Sequence, residues 1–136
     1  MNVRRLQDSD WDILQEWWLG WPGWVPPQKD FLPGDGTGGL IVEKDNKPIV
    51  AGFIFLGVDL KIAYFGWIVS NPKYREKDRD LAMEMLITKS EEFCKSIGKK
   101  YLCSFVNKQS PTLLRAHKKL GWDISKVTSH ELTKIL

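Results

Sequence analysis

A run of alternating charges follows a predicted central strand and leads into a predicted long helix. It contains four cations, Lys73, Arg75, Lys77 and Arg79, and three carboxylates, Glu76, Asp78 and Asp80. A helix N-terminus presents unpaired amides and a partial positive charge, so it suits an anionic ligand. The same run also fits an ordinary strand-to-helix turn with solvated charges. Both interpretations stay open on these residues alone.

Tryptophan is the second unusual feature, because four of the seven, Trp17, Trp18, Trp21 and Trp24, fall within eight residues. Trp21 and Trp24 stand among prolines and are candidates to line a pocket for an apolar or cationic ligand. A small hydrophobic core that pins a loop, or a protein contact, would use the same residues. Trp17 and Trp18 are adjacent on a predicted helix, so we expect one to face outwards or to be covered by the loop.

His117 and the two cysteines are the remaining chemically versatile residues. Helical spacing places His117 on one face with Leu113 and Leu120, pointing towards the body of the protein. The simplest role there is structural, with one hydrogen bond. Cys94 and Cys103 have neither metal-ligand nor redox spacing, which favours reduced thiols, a cytoplasmic location and no metal site.

Composition limits the class of protein. The 136 residues, 43% hydrophobic and 27% charged, are typical of one globular domain spanning residues 1–136 and argue against disorder. A net charge of +3 does not call for a nucleic-acid partner. The longest nearly apolar run, residues 49–58, is far shorter than the roughly 18 residues that a membrane span needs, and no signal peptide is evident.

The hydrophobic pattern predicts an α/β protein of the α+β type with a mixed sheet. We expect helices over residues 10–19, 80–97 and 110–120, with Asp8 and Ser9 as candidate caps of the first. Strands are expected over residues 3–6, 40–43, 48–56, 61–69, 101–106, 122–124 and 127–132. The long stretch 20–39 reads as a loop, which is commonly functional at that length. The strand–helix–strand unit over 61–106 predicts a right-handed parallel crossover.

The junction from Trp67 to Ala82 resembles the acetyl-CoA loop of the GNAT superfamily of N-acetyltransferases. That loop reads Val-x-Pro-x-Tyr-Arg-x-x-Gly-x-Gly/Ala before a long helix; Val69, Tyr74 and Arg75 match, and Pro72 lies close to its place. The family also often shows an Asn before a helix that ends Leu-Tyr-Glu-Lys-Leu-Gly-Phe. Here Asn107 precedes residues 115–122, which read Arg-Ala-His-Lys-Lys-Leu-Gly-Trp. The resemblance covers the whole chain and implies a mostly antiparallel sheet flanked by helices.

The resemblance implies an acetyl-CoA-dependent N-acetyltransferase in which an amine attacks the thioester directly. The Val69 amide would hold the oxyanion, and His117 would return a proton to the sulfur. Trp21 and Trp24 would bind the acceptor, a small-molecule or peptide amine. The residues implied to contact the cofactor are Trp67, Ile68, Val69, Arg75, Glu76, Lys77, Asp78, Arg79, Asp80, Asn107 and Leu114.

The chain departs from the family at Asp78 and Asp80, which stand where the family has two small residues. One carboxylate about 5 Å from a phosphate charge would cost on the order of 3 kcal/mol before screening. That repulsion would weaken cofactor binding by about two powers of ten. The alternative is therefore an inactive GNAT-fold module that uses its Trp-rich loop to hold a protein partner.

Charge distribution and hydropathy also bear on other classes of partner. A nucleic-acid role that uses the cations of 73–79 and 108–119 is disfavoured, because acids are interspersed among them. A membrane partner is not expected, and a homodimer is left open.

Overall fold

The computed structural model describes residues 1–107 and 110–136, so Lys108, counted above among the basic residues, lies outside the described residues. The described chain forms a five-stranded sheet with three α-helices. The strands are β1 (Asn2–Arg5), β2 (Gly39–Lys44), β3 (Lys47–Leu56), β4 (Ile62–Ser70) and β5 (Tyr101–Ser104). The helices are α1 (Trp11–Gly20), α2 (Arg79–Ser96) and α3 (Pro111–Lys119).

The sheet order follows the chain, β1-β2-β3-β4-β5. The first four strands pair antiparallel and β5 pairs parallel to β4, with Ile62 opposite Tyr101 and Phe65 opposite Ser104. The mixed, mostly antiparallel sheet flanked by helices is therefore confirmed. Helix α2 makes the crossover between the two parallel strands, as a parallel pair requires.

The start of α1 is fixed by Asp10 rather than by the predicted caps Asp8 and Ser9. A short 3-10 turn, Asp8–Asp10, precedes the helix, and the Gln7 amide donates to the Asp10 carboxylate at 2.8 Å. Arg4 of β1 donates to both oxygens of the same carboxylate, at 2.8 and 2.9 Å. These bonds from Arg4 lower the pKa of Asp10, although burial acts the other way. The paired charge ties the first helix to the first strand.

Two hydrophobic clusters fill the two faces of the sheet. The first lies under α2 and α3 and includes Phe65, Leu86 and Ile87. The second lies under α1 and the loop that follows it and includes Trp17, Trp18 and Phe53. Both tryptophans are buried in the same cluster, so the first alternative, that one faces outwards, is wrong, whereas the second, that the loop covers one of them, is compatible with this burial. The loop over 20–39, which contains two short 3-10 turns, Lys29–Phe31 and Pro33–Gly36, contributes Leu32 to it.

The two strands predicted for the C-terminus are not formed. Residues 123–136 are exposed, and no strand follows β5 in the described chain. The alternating pattern of 127–132 has no surface against which one face could be buried, so the pattern by itself does not make a strand. Trp122 is the last residue that is not exposed: its ring packs edge-on against His117 at 4.7 Å, and its indole N–H donates to Glu91 at 2.6 Å.

None of the helices in the described part of the chain combines the length and the apolar character needed to cross a membrane.

Candidate functional site

The site begins at an irregularity in β4. Ala51 of β3 lies opposite Val69 and Phe53 lies opposite Gly66, so Gly52 alone faces two residues, Trp67 and Ile68. This is a β-bulge, and Trp67 has the left-handed φ of 52° that lets the strand absorb the extra residue. A Cβ on Gly52 would come within 2.7 Å of the Phe65 ring and 3.1 Å of Ile68. Glycine is therefore needed opposite the bulge.

The bulge coincides with the point where β4 loses its neighbour. The pairing of β4 with β5 is described only as far as Phe65 and Ser104. Beyond Phe65 the described residues form no further pair between these two strands, and a cleft lies at this end of β4. Bulges commonly stand next to active sites because they redirect backbone groups.

The sheet register shows which amides of β4 face this cleft. The Asn71 amide donates to the Ile49 carbonyl at 2.8 Å, so this opposed pair is hydrogen-bonded. Bonded and non-bonded pairs alternate in an antiparallel ladder, and Ala51 and Val69 lie two residues further along. The Val69 amide is thus expected to point at β3, and the backbone groups of its neighbour Ser70 are expected to point away from β3. The Ser70 carbonyl fits this direction, because it accepts the Trp21 indole N–H at 2.8 Å.

A cavity of about 250 Å³ occupies the cleft. It lies between the end of β4, the ends of α1 and its loop, and the N-termini of α2 and α3. Its lining residues are Trp18, Trp21, Trp24, Val50, Ile68, Val69, Ser70, Arg75, Arg79, Met83, Ser110, Pro111, Thr112 and Leu113. Most of this wall is apolar, and its described charged residues are two arginines.

The tryptophan side of the cavity is a packed aromatic wall. Trp18 stacks on Phe53 with ring centres 6.3 Å apart and meets Trp67 edge-on at 6.3 Å. Trp21 is held by its bond to Ser70, and the Arg75 guanidinium lies over its ring at 5.6 Å. The two cavity-lining tryptophans, Trp18 and Trp21, are thus held in place by the second hydrophobic cluster.

The Asp78 carboxylate does not bond the first amides of α2. It occupies the N-cap position of α2 but makes no side-chain cap bond. Its carboxylate instead pairs with the Lys44 ammonium of β2 at 2.5 Å and accepts the Tyr74 hydroxyl at 2.7 Å. The Lys44 bond, and after it the Tyr74 bond, lower the pKa of Asp78. Its negative charge is therefore already paired.

The same loop also borders a wider, open groove of about 730 Å³ on the outer side of the α2 N-terminus. Its lining residues are Lys44, Asp45, Lys47, Pro48, Asn71, Lys73, Tyr74, Arg75, Glu76, Lys77 and Asp78. Arg75 borders both spaces. Asp80 lies exposed in the first turn of α2.

His117 is buried, with 3% of its surface exposed, and it is not among the residues that line the cavity. Its Nδ1 lies 2.8 Å from the Leu113 carbonyl, so the proton of the neutral ring belongs on Nδ1. Burial lowers the pKa of His117, although the Leu113 bond and Glu91 act in the opposite direction. The ring is therefore neutral at pH 7.

The structure thus brings together some of the predicted site residues and separates others. The cavity brings together Trp21, Trp24, Ile68, Val69, Arg75 and Arg79, and the outer groove holds Glu76, Lys77 and Asp78. Trp67 lies behind the wall in the aromatic cluster, while Asn107 and Leu114 are exposed. Trp18, Ser70, Met83 and the start of α3 were missed. The Ser110-Pro111 helix start was a signal for the last of these, but no local pattern marks Trp18 or Met83 as cavity residues.

No protein-family model matches the chain, and no curated protein matches it in sequence. Solved structures do match. The ribosomal-protein-S18-alanine N-acetyltransferase from Escherichia coli superposes with a TM-score of 0.72 at 13% identity, over 92% of this chain and 79% of that one. An aminoglycoside 6'-N-acetyltransferase from Acinetobacter haemolyticus gives 0.64 at 17% identity, over 99% of both chains. This chain has the GNAT acetyltransferase fold.

A third GNAT-fold structure bears on the cofactor. An aminoglycoside N-acetyltransferase in complex with CoA superposes with a TM-score of 0.66 at 14% identity, over 98% of this chain and 95% of that one. At these identities the similarity establishes the GNAT fold, and the chemistry has to be argued from the site itself. No group of three or more His, Cys, Asp or Glu is arranged to hold a metal ion within residues 1–107 and 110–136.

Proposed function

We propose that the protein is an acetyl-CoA-dependent N-acetyltransferase. The observation that carries the proposal is the bulged strand β4, which directs backbone amides into a cleft whose mouth holds Arg75 and Arg79. The bulge depends on the left-handed Trp67 and on the glycine opposite it. Strained backbone of this kind persists only where the surrounding structure enforces it, and it is typical of functional sites.

The residues present fit acetyl-CoA. Ile68, Ser70 and Leu113 would flank its pantetheine arm, and Arg75, Arg79 and the first amides of α2 would hold its phosphates. Asp78 is compatible with this arrangement because Lys44 neutralises it and its carboxylate does not occupy the helix amides. When bound, acetyl-CoA supplies the acyl thioester.

The oxyanion role expected for the Val69 amide passes to Ile68 in this proposal. The register supports this choice, because it is consistent with a Val69 amide turned towards Ala51, and the proposal takes the Ile68 amide at the bulge to face the cleft. An amide fixed in that direction would stabilise negative charge on the attacked carbonyl oxygen without reorganisation. Overall, the amine nitrogen would gain the acetyl group and lose one proton, and the CoA sulfur would leave with one proton as the free thiol; among the described cavity residues no side chain is assigned to this proton transfer, which solvent would carry out.

The proton-return role expected for His117 is not included. A general acid must reach the leaving group and carry a proton that it can donate. His117 lies outside the cavity lining, is neutral, and has its one N–H directed at Leu113. We assign it the structural role of joining α3 to Trp122.

The test is acetyl transfer by the purified protein. Release of the CoA thiol should depend on an added amine, and mass spectrometry should show the product heavier by one acetyl group. Replacing Arg75 and Arg79 together by Met should lower kcat/KM by about a hundredfold, since two charge-assisted phosphate contacts are lost. Lys95→Met, an exposed cation at the far end of α2, is the matched control and should change little.

Two results would reject the proposal. The first is release of the CoA thiol that does not depend on any amine. The second is equal activity of the Arg75→Met/Arg79→Met variant and the Lys95→Met control. A folded protein that binds no acetyl-CoA and transfers no acetyl group would favour the alternative, a binding module that uses the Trp-rich loop.

A further inference from the structure

One side of β4 and β5 is largely exposed. Ala63, Phe65 and Leu102 of these strands point to the other side, into the cluster under α2 and α3. Side chains alternate along a strand, so the residues between them form the exposed side. We call this surface the aromatic face; its residues are Ile62, Tyr64, Tyr101, Cys103 and Phe105. Tyr101 and Phe105 are 66% and 59% exposed. An apolar sheet face that stays open is unusual, because sheets bury such faces against another layer.

The aromatic face reaches the bulge in β4. The Tyr64 ring contacts Phe105 with ring centres 5.2 Å apart and Phe55 of β3 with ring centres 5.3 Å apart. A Cβ on Gly66 would come within 2.7 Å of the Tyr64 hydroxyl oxygen, so this hydroxyl lies beside the residue that precedes Trp67. The aromatic face therefore starts at the bulge and leads away from it along β4 and β5 over about 13 Å, the length of four strand residues.

The aromatic face is separate from the space proposed for the cofactor. None of its residues is among the described residues that line the cavity or the outer groove. Trp21 and Trp24, the acceptor residues predicted from the sequence, do line that cavity. An acceptor on the aromatic face would approach the bulge without competing with acetyl-CoA for Arg75 or for the cavity.

The charge acting on the aromatic face is negative. Burial, and after it the Glu131 carboxylate, raises the pKa of Tyr64 to about 12, and no cation among the described residues opposes this shift. The Tyr64 hydroxyl is therefore uncharged at pH 7. A ligand that brings an ammonium group to this end of the aromatic face would meet a carboxylate and ring faces, both of which favour a cation. An anionic ligand would be repelled.

We infer that the acceptor is the N-terminal amine of a polypeptide whose first residues are apolar or aromatic, and that these residues bind to the aromatic face. An open aromatic surface is typical of a contact with protein, and its length suits about four extended residues. The reacting amine has to lie at the bulge, and the aromatic face leads away from the bulge in one direction, as a chain end requires. The inference deepens the proposed function and rests on it for the transfer step only.

The experiment is calorimetric titration of the full chain, with and without CoA. Ala-Phe-Ala-Phe amide should bind at least tenfold more tightly than Ala-Ser-Ala-Ser amide, because its two rings point to the same side and would cover the aromatic face. The N-acetylated form of the phenylalanine peptide lacks the terminal charge and should bind at least threefold more weakly. Phenylalanine amide has one ring only and should bind at least fivefold more weakly, since it covers less of the aromatic face.

Tyr101→Ser removes the ring at the far end of the aromatic face, so it should reduce the tenfold preference for the phenylalanine peptide to about threefold or less. Leu19→Ser is the matched control, because Leu19 is 68% exposed and Tyr101 is 66% exposed, but Leu19 lies on α1. The control should leave the preference unchanged. Since both side chains are exposed, both variants should fold, and urea unfolding checks this.

Any of four binding results would overturn the inference. They are equal affinity for the phenylalanine and serine peptides, equal affinity for the free and acetylated peptides, phenylalanine amide binding as tightly as the tetrapeptide, and an unchanged preference in Tyr101→Ser. A dimer that dissociates in Tyr101→Ser, as sedimentation equilibrium would show, would also overturn it, because a second copy would then cover the aromatic face.

These results are distinct from failure of the proposed function. If small amines are acetylated but the phenylalanine peptide has no advantage, the proposed function stands and the inference fails. Failure of acetyl-CoA to bind would reject the transferase proposal, whereas the preference among peptides is measured in binding and does not require transfer.

Discussion

Asp78 shows that one neighbouring side chain can change the effect expected from a charged residue. From the sequence, its charge predicts repulsion of the cofactor pyrophosphate. In the structure Lys44, 34 positions earlier on β2, neutralises that charge, and Tyr74 accompanies it. No local pattern in the sequence links Lys44 with Asp78, because their contact exists only once the hairpin and the α2 loop come together.

This pairing gives a prediction for acetyl-CoA affinity. Asp78→Asn should change the Kd by less than about threefold, because the charge that it removes is already paired. Lys44→Met leaves the carboxylate unpaired and should raise the Kd by about tenfold. The double variant should return to within about threefold of the wild type, as calorimetry can measure. If Asp78→Asn alone bound acetyl-CoA a hundredfold more tightly, repulsion between the Asp78 carboxylate and the cofactor phosphates would be shown to dominate.

His117 gives a prediction about stability and pH. Burial lowers its pKa in the folded state below the ordinary value of 6.5, so the unfolded chain binds more protons there. The contribution of the neutral ring is therefore complete above about pH 6.5 and is lost as the pH falls towards the folded-state pKa. Glu91, which bonds the neighbouring Trp122, partly opposes the shift.

His117→Gln should therefore flatten the dependence of the unfolding free energy on pH between about pH 7.5 and 5.5. It should leave kcat unchanged within about threefold, since we place the ring outside the reacting groups. Urea unfolding at pH 7.5 and pH 5.5 checks the predicted stability of His117→Gln. The rate of acetyl transfer checks its predicted kcat. A fall in kcat of about a hundredfold with unchanged stability would restore the general-acid role.

At the scale of the elements, the decisive feature is the bulge in β4 with Gly52 opposite it. Gly52→Ala would force its Cβ against the buried Phe65 ring and against Ile68. We expect a loss of about 1–3 kcal/mol in stability, as for an overpacked core. We also expect at least a tenfold weaker acetyl-CoA affinity, because Ile68 would be displaced.

Gly57→Ala, in the turn after β3, is the control for this substitution. Its added Cβ meets only the Leu60 side chain, which is exposed and can move away. It should therefore leave acetyl-CoA affinity unchanged. Equal affinities of the Gly52 and Gly57 variants would show that the bulge does not shape the cofactor site.

The elements also show where sequence reasoning succeeds and where it stops. The element order as far as α3 and the five strands of the sheet follow from hydrophobic alternation and from turn residues, and the structure confirms them, whereas the two C-terminal strands predicted from the same pattern are not formed. The bulge leaves no such signal, since Trp67 with its φ of 52° continues an apolar strand pattern. The family resemblance predicted the Val69 amide as the oxyanion donor. The direction of that amide depends on the extra residue of the bulge, which the sequence does not reveal.

At the scale of the whole molecule, the sheet ends at β5 and the last residues lie outside it. Leu132 and Ile135 are 90% and 92% exposed. Deleting residues 128–136 should therefore change the unfolding free energy by less than about 0.5 kcal/mol. Denaturant unfolding of the shortened chain measures this. A loss above about 2 kcal/mol would mean that this segment pairs with the edge of β5 as the strand that the sequence pattern predicts.

The whole account rests on the binding of acetyl-CoA in the cleft at the end of β4. The most direct measurement is calorimetric titration of the wild-type chain with acetyl-CoA, repeated on Gly52→Ala. The account predicts a micromolar Kd for the wild type and at least a tenfold weaker one for the variant. A folded wild-type protein that gives no binding heat at millimolar acetyl-CoA would contradict it.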